Sequence, residues 1–399
     1  MASILRNPKL LYSRALFSAS ISTQTTPFPS FRAAKSAILS ESDPEKLAAM
    51  FDQNSLFPTF RRHRPLYEVS VHKLARSGRA DLVDRIIENH VSSPSNAASL
   101  KSEGFWIRLM MLYSSAGMVD QAMRTLDRML QTKCSNITEK SLCACLSVQL
   151  NNGLFEKTHE LFDKMPQRLG VEPGVVSHNL ILKTFVNQNR VDLARDWVQK
   201  MEKDGKVTPN IDSYNILLGA YWVNKDSNGF DGVLKEMMSK GLDPNVTTYV
   251  YRIAKMCKDK ECVRAKKLLD EMISKGVNPN SATYNTIVRG FCKVGDFDSA
   301  KKVLEGMLAD GYAVPSSSAY YALMRGAVKE GEFDLALEMC KEIMRRKWVP
   351  PFEAMEGLVN GLLKMSRMEE AKEVIEKMKR KLTGNAVESW AKIEAALPL

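Results

Sequence analysis

The sequence lacks the features that define several large classes of protein. No apolar run approaches the ~20 residues that a membrane-spanning helix needs, although 44% of the 399 residues are hydrophobic. The 16 prolines are too few for a disordered or fibrous chain, and 26% of charged residues is normal for a folded one. Seven cysteines, an odd number, imply no disulfide framework. These absences favour a soluble folded chain, either of two or three domains or of one elongated repeat array.

Signals for catalysis and for metal binding are also missing. The five histidines show no spacing typical of metal ligands. Cys143 and Cys145 would point to different sides of a helix, so we expect them to pack rather than to chelate. No glycine-rich phosphate loop occurs. The sequence therefore predicts a protein that is not an enzyme, with no cofactor, no bound metal and no small-molecule substrate.

The first forty residues contain no acidic residue. They hold five basic residues and eleven Ser or Thr, and the first acidic residue is Glu41 although the chain has 46 of them. This composition is typical of an organellar transit peptide, and the lack of a continuous apolar segment argues against secretion. We predict that residues 1–40 are a cleaved transit peptide and that the mature chain begins between residues 17 and 41. The predicted compartment is the mitochondrial matrix, with the chloroplast as the alternative.

An internal repeat organises the rest of the chain. Pro209-Asn210, Pro244-Asn245 and Pro279-Asn280 follow one another at intervals of 35 residues. Each is followed by a similar opening, such as Ser213-Tyr214-Asn215. Aligning the glycines extends this register in both directions. The sequence then predicts nine repeats over residues 64–386, which start near 64, 103, 139, 175, 211, 246, 281, 317 and 352.

Each repeat predicts a pair of helices. In the repeat that starts at 281, an apolar stripe from Tyr284 to Phe291 precedes a break at Gly295. A second stripe runs from Phe297 to Met307. One hairpin of this size cannot bury its apolar face alone, so neighbouring repeats must stack. We therefore predict an all-α fold, a right-handed α-solenoid superhelix, with a capping region at 41–63 and a capping helix at 387–399.

The repeat from 246 to 280 carries a family resemblance. Its Thr248-Tyr249 opening, its Glu271-Met272 segment and its Asn278-Pro279-Asn280 ending resemble the pentatricopeptide repeat of plant organellar proteins. A tetratricopeptide array, which would bind proteins, has a period of about 34 residues and a Trp-x-x-Leu-Gly signature, and neither occurs. The resemblance implies single-stranded RNA as the ligand, with one base for each repeat.

The resemblance also implies which residues read bases. In this family the fifth residue and the last residue of a repeat meet one base. Three repeats have pairs that imply a pyrimidine: Asn179 with Asn210, Asn215 with Asn245, and Asn285 with Ser316. The other repeats imply no clear base, and the second position, usually valine, is valine only at Val176 among five successive repeats. We therefore expect weak sequence reading.

A set of cations recurs at one position of the repeat. On the predicted helix after 281, Asn285, Arg289 and Lys293 share a face opposite the apolar stripe, so this face should line a groove or meet solvent. Equivalent lysines recur every 35 or 36 residues, and two arginines accompany them: Lys258, Lys293, Lys329, Lys364, Arg289 and Arg325. With a net charge of +11, this stripe predicts phosphate binding that weakens with salt. The alternative is a solvated polar face without a ligand.

Three functional hypotheses follow. The first is a mitochondrial RNA-binding protein that acts in translation as a ribosome-associated component, with single-stranded or ribosomal RNA and mitochondrial ribosomal proteins as partners. The segments at residues 43–47 and 64–68 resemble ribosome-associated mitochondrial members of the family. The second is a transcript-specific stabilisation or processing factor. The third is a helical scaffold that binds protein only.

Overall fold

A computed structural model describes residues 30–54, 63–93, 96–132, 136–382 and 385–395, together with Phe28 and Cys134. Within these residues the chain forms 21 α-helices, one short 3-10 helix and no strand. The predicted all-α class is confirmed. No helix in the described part of the chain is both long enough and apolar enough to cross a membrane.

The helices follow one another in a regular order. They are α1 (Phe31–Ser40), α2 (Pro44–Asn54), α3 (Arg64–Arg76), α4 (Ala80–Ser92), α5 (Glu103–Ser115), α6 (Val119–Gln131), α7 (Glu139–Asn151), α8 (Phe155–Leu169), α9 (Val175–Asn187), α10 (Val191–Asp204), α11 (Ile211–Val223), α12 (Ser227–Ser239), α13 (Val246–Lys258), α14 (Cys262–Ser274), α15 (Ser281–Lys293), α16 (Phe297–Asp310), α17 (Ser317–Glu330), α18 (Phe333–Arg345), α19 (Phe352–Lys364), α20 (Met368–Lys379) and α21 (Asn385–Glu394). The odd-numbered helices from α3 to α19 are the first helices of nine described hairpins. Each begins at the residue at which the sequence analysis places the start of a repeat.

The recurring Pro-Asn pairs end one repeat and cap the next. The Oδ1 atom of Asn245 accepts a hydrogen bond from the backbone N–H of Thr248 at 3.1 Å, which caps the start of α13. Asn210 and Asn280 cap α11 and α15 in the same way and form complete capping boxes. At the other end of a hairpin, Gly311 adopts the left-handed conformation, with a φ of 69°, and terminates α16.

The chain divides into two compact bodies. The first comprises residues 1–157 and 167–171, and the second comprises residues 158–166 and 172–399. In the first body, Trp106 and Leu109 of α5 are buried, and the indole of Trp106 donates to the carbonyl of Leu100 at 2.7 Å. The amphipathic stripes of the helices thus form its core.

Tyrosine and methionine fill the core of the second body. A fourth-position tyrosine of each of four successive first helices is buried: Tyr214, Tyr249, Tyr284 and Tyr320. The hydroxyl of Tyr284 reaches the hairpin surface and donates to Asp310 Oδ2 at 2.9 Å. Methionines near the ends of four second helices are also buried: Met201, Met237, Met272 and Met307.

The predicted targeting segment overlaps a folded helix. Residues 1–27 and 29 of that segment, like residues 55–62 of the predicted capping region, lie outside the described residues. In α1, however, Ala34 and Ile38 are fully buried. Lys73 of α3 donates to the carbonyls of Leu39 at 2.7 Å and Glu41 at 3.0 Å. Cleavage at residue 40 would remove this packed helix, so these contacts favour a mature chain that begins before Phe31.

Candidate nucleic-acid interface

The predicted base-reading residues lie in pairs at the seams between successive first helices. Each fifth-position amide donates to the last residue of its own repeat. Asn179 Nδ2 meets Asn210 Oδ1 at 3.3 Å, Asn215 Nδ2 meets Asn245 Oδ1 at 3.0 Å, and Asn285 Nδ2 meets Ser316 Oγ at 2.9 Å. The structure therefore joins the two members of every predicted pair, although they are about thirty residues apart in the sequence.

The burial of these amides corrects the sequence analysis. Asn285 was expected on a face that only lines a groove or meets solvent, but its exposed fraction is 8%, and those of Asn179 and Asn215 are 8% and 6%. The expectation was wrong because each first helix that carries one of these amides packs on two sides, against its own second helix and against the first helix of the next hairpin. Only Arg289 and Lys293 of the predicted face are exposed.

A hydroxyl in the following repeat fixes the orientation of two amides. Ser213 Oγ donates to Asn179 Oδ1 at 2.6 Å, and Thr248 Oγ1 donates to Asn215 Oδ1 at 2.8 Å. With each oxygen occupied in this way, the amide directs its N–H groups toward the last residue of its repeat and toward the groove. Sequence analysis did not single out these hydroxyls. Their signal is the recurrence of Ser or Thr at the third position of a repeat.

The repeat from 281 departs from this arrangement. The next repeat, which starts at 317, has Ala319 at the third position and therefore offers no hydroxyl to Asn285. Asn285 Oδ1 is buried and has no hydrogen-bond partner in the described part of the chain. Asn285 and Ser316 are therefore held by one hydrogen bond, whereas the amides of Asn179 and Asn215 are each held at both ends.

The amides of two repeats open onto one groove of about 440 Å³. Its lining includes Asn179, Asn215, Lys183 and Tyr251. The Tyr251 hydroxyl lies over Gly219, where an added Cβ would stand 2.5 Å from the hydroxyl oxygen and would have to displace the ring. Burial raises the pKa of Tyr251, which keeps this phenol neutral.

Lys183 adds a cation to this groove that sequence analysis missed. It is exposed and lies four residues after Asn179. Arg289 stands in the same relation to Asn285. This shared spacing is the signal that could have identified it, because residues four apart lie on one face of a helix.

Three of the predicted cations line a second groove, of about 620 Å³, on the C-terminal halves of the first helices. We call it the cationic groove. Lys258, Arg289 and Lys293 contribute to its wall beside Trp222, and no acidic side chain does. Arg289 Nε donates to the backbone carbonyl of Asn285 at 3.2 Å, which restrains the guanidinium along α15. The pattern of cations without carboxylates suits a polyanion.

The remaining predicted cations lie outside these two grooves. Arg325 and Lys329 are exposed on α17, and Lys364 is exposed on α19. Lys329 lies 3.8 Å from Glu330, and its side chain is 83% exposed, so this ion pair restrains it little. All three side chains are accessible to a ligand.

Two cysteines of these first helices have thiols whose pKa is raised. Burial raises the pKa of Cys257, which borders the second groove, to about 12, and it does the same for Cys292. Both thiols stay protonated, in agreement with a packing role. Among the described residues, no group of His, Cys, Asp or Glu is arranged to hold a metal ion.

Family models match hairpins in both bodies. Models described as PPR repeat match residues 105–134, 212–242, 247–277, 275–308, 318–347 and 357–381. A model described as pentatricopeptide repeat domain matches residues 160–225. These matches cover more than half of the chain.

Known proteins with similar sequences are also pentatricopeptide repeat proteins. Pentatricopeptide repeat-containing protein At1g11630, mitochondrial, of Arabidopsis thaliana is 44% identical over 364 residues, which are 91% of this chain and 88% of that protein. Small ribosomal subunit protein mS79 (rPPR3b) of the same plant is 27% identical over 193 residues, 48% of each chain. The chain spans only about half the length of other relatives, 53% of one and 49% of another.

A solved structure supports the fold. The crystal structure of the pentatricopeptide repeat protein PPR10 from maize aligns with 92% of this chain and 60% of that chain, with a TM-score of 0.51 and 19% identity. The hairpin register, the repeat matches and a relative that is 44% identical along most of its length together lead to one conclusion. This chain belongs to the pentatricopeptide repeat family.

Proposed function

We propose that the chain binds single-stranded RNA along the first helices of its second body. Bases would bind in the groove that Asn179 and Asn215 line, and phosphates would bind in the cationic groove at Lys258 and Lys293. The observation that carries this proposal is that the same helices present hydrogen-bonding amides in one groove and cations without acidic neighbours in the other. A single strand needs both, because phosphates supply affinity and base edges supply selectivity.

The amount of base reading is expected to be small. Three pyrimidine-preferring pairs are matched by chance at roughly one site in eight, and each mismatch costs about 1–3 kcal/mol by analogy with other base readers. The pair of Asn285 with Ser316 is also the least restrained of the three. Such a site cannot select one transcript among many. Binding to RNA in general, or to a large RNA that other proteins already hold, fits these residues better.

We propose the mitochondrion as the compartment and translation as the process. Two observations support this, the acid-free N-terminal segment and the relatives, one named mitochondrial and one named a ribosomal subunit protein. In this proposal the chain associates with the mitochondrial ribosome through ribosomal RNA and neighbouring ribosomal proteins. It binds without catalysing a reaction and takes no cofactor.

Sedimentation of the native protein from purified organelles tests this role against its rivals. We expect the protein in fractions of ribosomal mass and expect ribonuclease to release it. A small complex that ribonuclease disrupts would favour the transcript-specific factor instead. A complex that ribonuclease does not change would favour a protein scaffold and would contradict RNA binding.

A further inference from the structure

Trp222, at the end of α11, is the one of the five tryptophans that lines the cationic groove. Trp106 and Trp390 are buried in the core. Trp197 and Trp348 pack against other aromatic rings, at centroid distances of 5.6 Å from Phe162 and 5.8 Å from Tyr320. Trp222 is half-buried, and within the described residues it has no aromatic ring stacked on it. It packs in part against the buried core formed by α11 and α12, and the rest of its surface faces the cationic groove.

The groove beside Trp222 has room for a planar ligand. Its volume of about 620 Å³ falls within the range of about 300–1,000 Å³ that small-ligand sites occupy. Small residues make this space, since Ala254 and Gly290 stand where longer side chains would fill it. A side chain at Gly290 is excluded in any case, because a Cβ would lie 2.6 Å from Cys257 Sγ.

On the groove side, the indole of Trp222 makes only a weak contact. Lys258 Nζ lies 5.2 Å from the Trp222 ring centroid, a cation–π arrangement. At an exposed site this interaction contributes less than a stacked nucleobase does. A ligand that offers both a base and a phosphate can therefore replace Lys258 on the ring and pair with the ammonium that it displaces.

We propose that Trp222 is a stacking platform for one nucleobase of single-stranded RNA, with Lys258 binding a phosphate of the stacked nucleotide and Arg289 and Lys293 binding flanking phosphates. This inference rests on the proposed RNA binding and adds a base contact outside the fifth and last positions of the repeats. Every base has an aromatic face, so the platform tolerates any sequence. It supplies affinity where base reading is weak.

Replacement of the indole tests the proposal. Trp222→Leu should weaken binding of both oligouridine and oligoadenosine by about tenfold or more, with an unchanged salt dependence, because the lost contact carries no charge. Trp222→Tyr keeps an aromatic ring and should retain most of the affinity. Val223→Ala is the matched control, since Val223 is adjacent on the same helix and 75% exposed. It should bind like the wild type.

Lys258→Met separates the two roles in the groove. It keeps the length of the side chain but removes the charge, so the log–log salt slope should fall by about 0.7 while Trp222 still stacks. Stacking is followed by the quenching of tryptophan fluorescence on RNA binding, which should persist in Lys258→Met and decrease in Trp222→Leu.

The failures of the two proposals can be told apart. If the wild type binds no single-stranded RNA, the proposed function itself is wrong. If the wild type binds and a folded Trp222→Leu variant binds within twofold of it, with the same quenching, the stacking platform is refuted and RNA binding stands. Thermal unfolding followed by circular dichroism verifies that each variant is folded.

Discussion

Ala319 offers a test of how the base-reading amides are held. At the same position of an earlier repeat, Ser213 donates to Asn179 Oδ1 at 2.6 Å. Ala319 cannot donate, and the described structure leaves Asn285 Oδ1 buried without a partner. Replacing Ala319 with Ser places a hydroxyl beside that oxygen. The substitution should therefore stabilise the protein, although it puts a polar atom into a fully buried position.

The expected change in the free energy of unfolding of Ala319→Ser is the sum of favourable and unfavourable contributions. A hydrogen bond in a protein contributes about 1 kcal/mol net, and an unsatisfied buried acceptor costs about 1–3 kcal/mol. Burial of the serine hydroxyl costs free energy, but its hydrogen bond to Asn285 Oδ1 offsets most of this cost. We expect Ala319→Ser to raise the free energy of unfolding of the second body by about 1 kcal/mol. The midpoint of thermal unfolding should then rise by about 2–4 °C.

Thermal unfolding of the full chain, followed by far-ultraviolet circular dichroism, measures this shift. Ala319→Val is the matched control, because it adds volume but no donor. Thr248→Val is the converse change, since it removes the donor to Asn215 Oδ1 and should lower the midpoint. If Ala319→Ser unfolds at or below the midpoint of Ala319→Val, the added hydroxyl does not stabilise Asn285.

Three further predictions concern other parts of the molecule. Hydrogen bonds from Arg345 and Arg346 lower the pKa of Glu342 to about 2, so Glu342→Gln should cost about 1 kcal/mol at neutral pH after allowance for solvent screening. The stability difference between the wild type and Glu342→Gln should vanish as the pH falls from 4.5, the ordinary pKa of a glutamate, through 2. Urea unfolding across that pH range measures the difference. Gly219→Ala should displace the Tyr251 ring and reduce RNA affinity without changing the salt slope, and an equal affinity in a binding titration would contradict it. N-terminal sequencing of the organellar protein should find a start after residue 17 and before Phe31, and a protein that keeps Met1 would overturn the targeting proposal.

The repeat architecture could be predicted because its signals are local and recur. The Pro-Asn pairs mark helix starts through capping, and the apolar stripes between them have a helical period. Nine starts read from this register fall on the first residues of nine described helices. The extent of the N-terminal fold could not be read in the same way. Helix α1 belongs to no repeat, and its burial depends on contacts with α3 more than thirty residues away.

The site was less predictable, because the period of one helix does not reveal what packs across a seam. Asn285 appeared to lie opposite the core, yet the next hairpin covers it. The roles of Ser213 and Tyr251 depend on partners in another repeat, Asn179 and Gly219. Trp222 carried no signal at all, since no other repeat has an aromatic residue in that place. The six predicted cations are all exposed, because charged side chains stay on the outer surface of each helix, and their contact with phosphate stays a prediction.

RNA binding by this chain should depend first of all on contacts between the cations of the first helices and the RNA backbone. Its test is a binding titration at several salt concentrations with pyrimidine-rich and purine-rich single strands. The variant replaces Lys258, Lys293, Lys329 and Lys364 with Gln. The control replaces four exposed lysines of successive second helices with Gln: Lys235, Lys267, Lys302 and Lys341. Both variants lose the same charge, so only its location differs.

We expect the first-helix variant to lose affinity for both RNAs. Its log–log salt slope should fall by about 3, because each lost contact to a single strand removes about 0.7. The second-helix control should keep nearly the wild-type slope. Equal losses in the two variants would mean that net charge, and not the groove, binds RNA. A first-helix variant with the wild-type slope would contradict the claim outright.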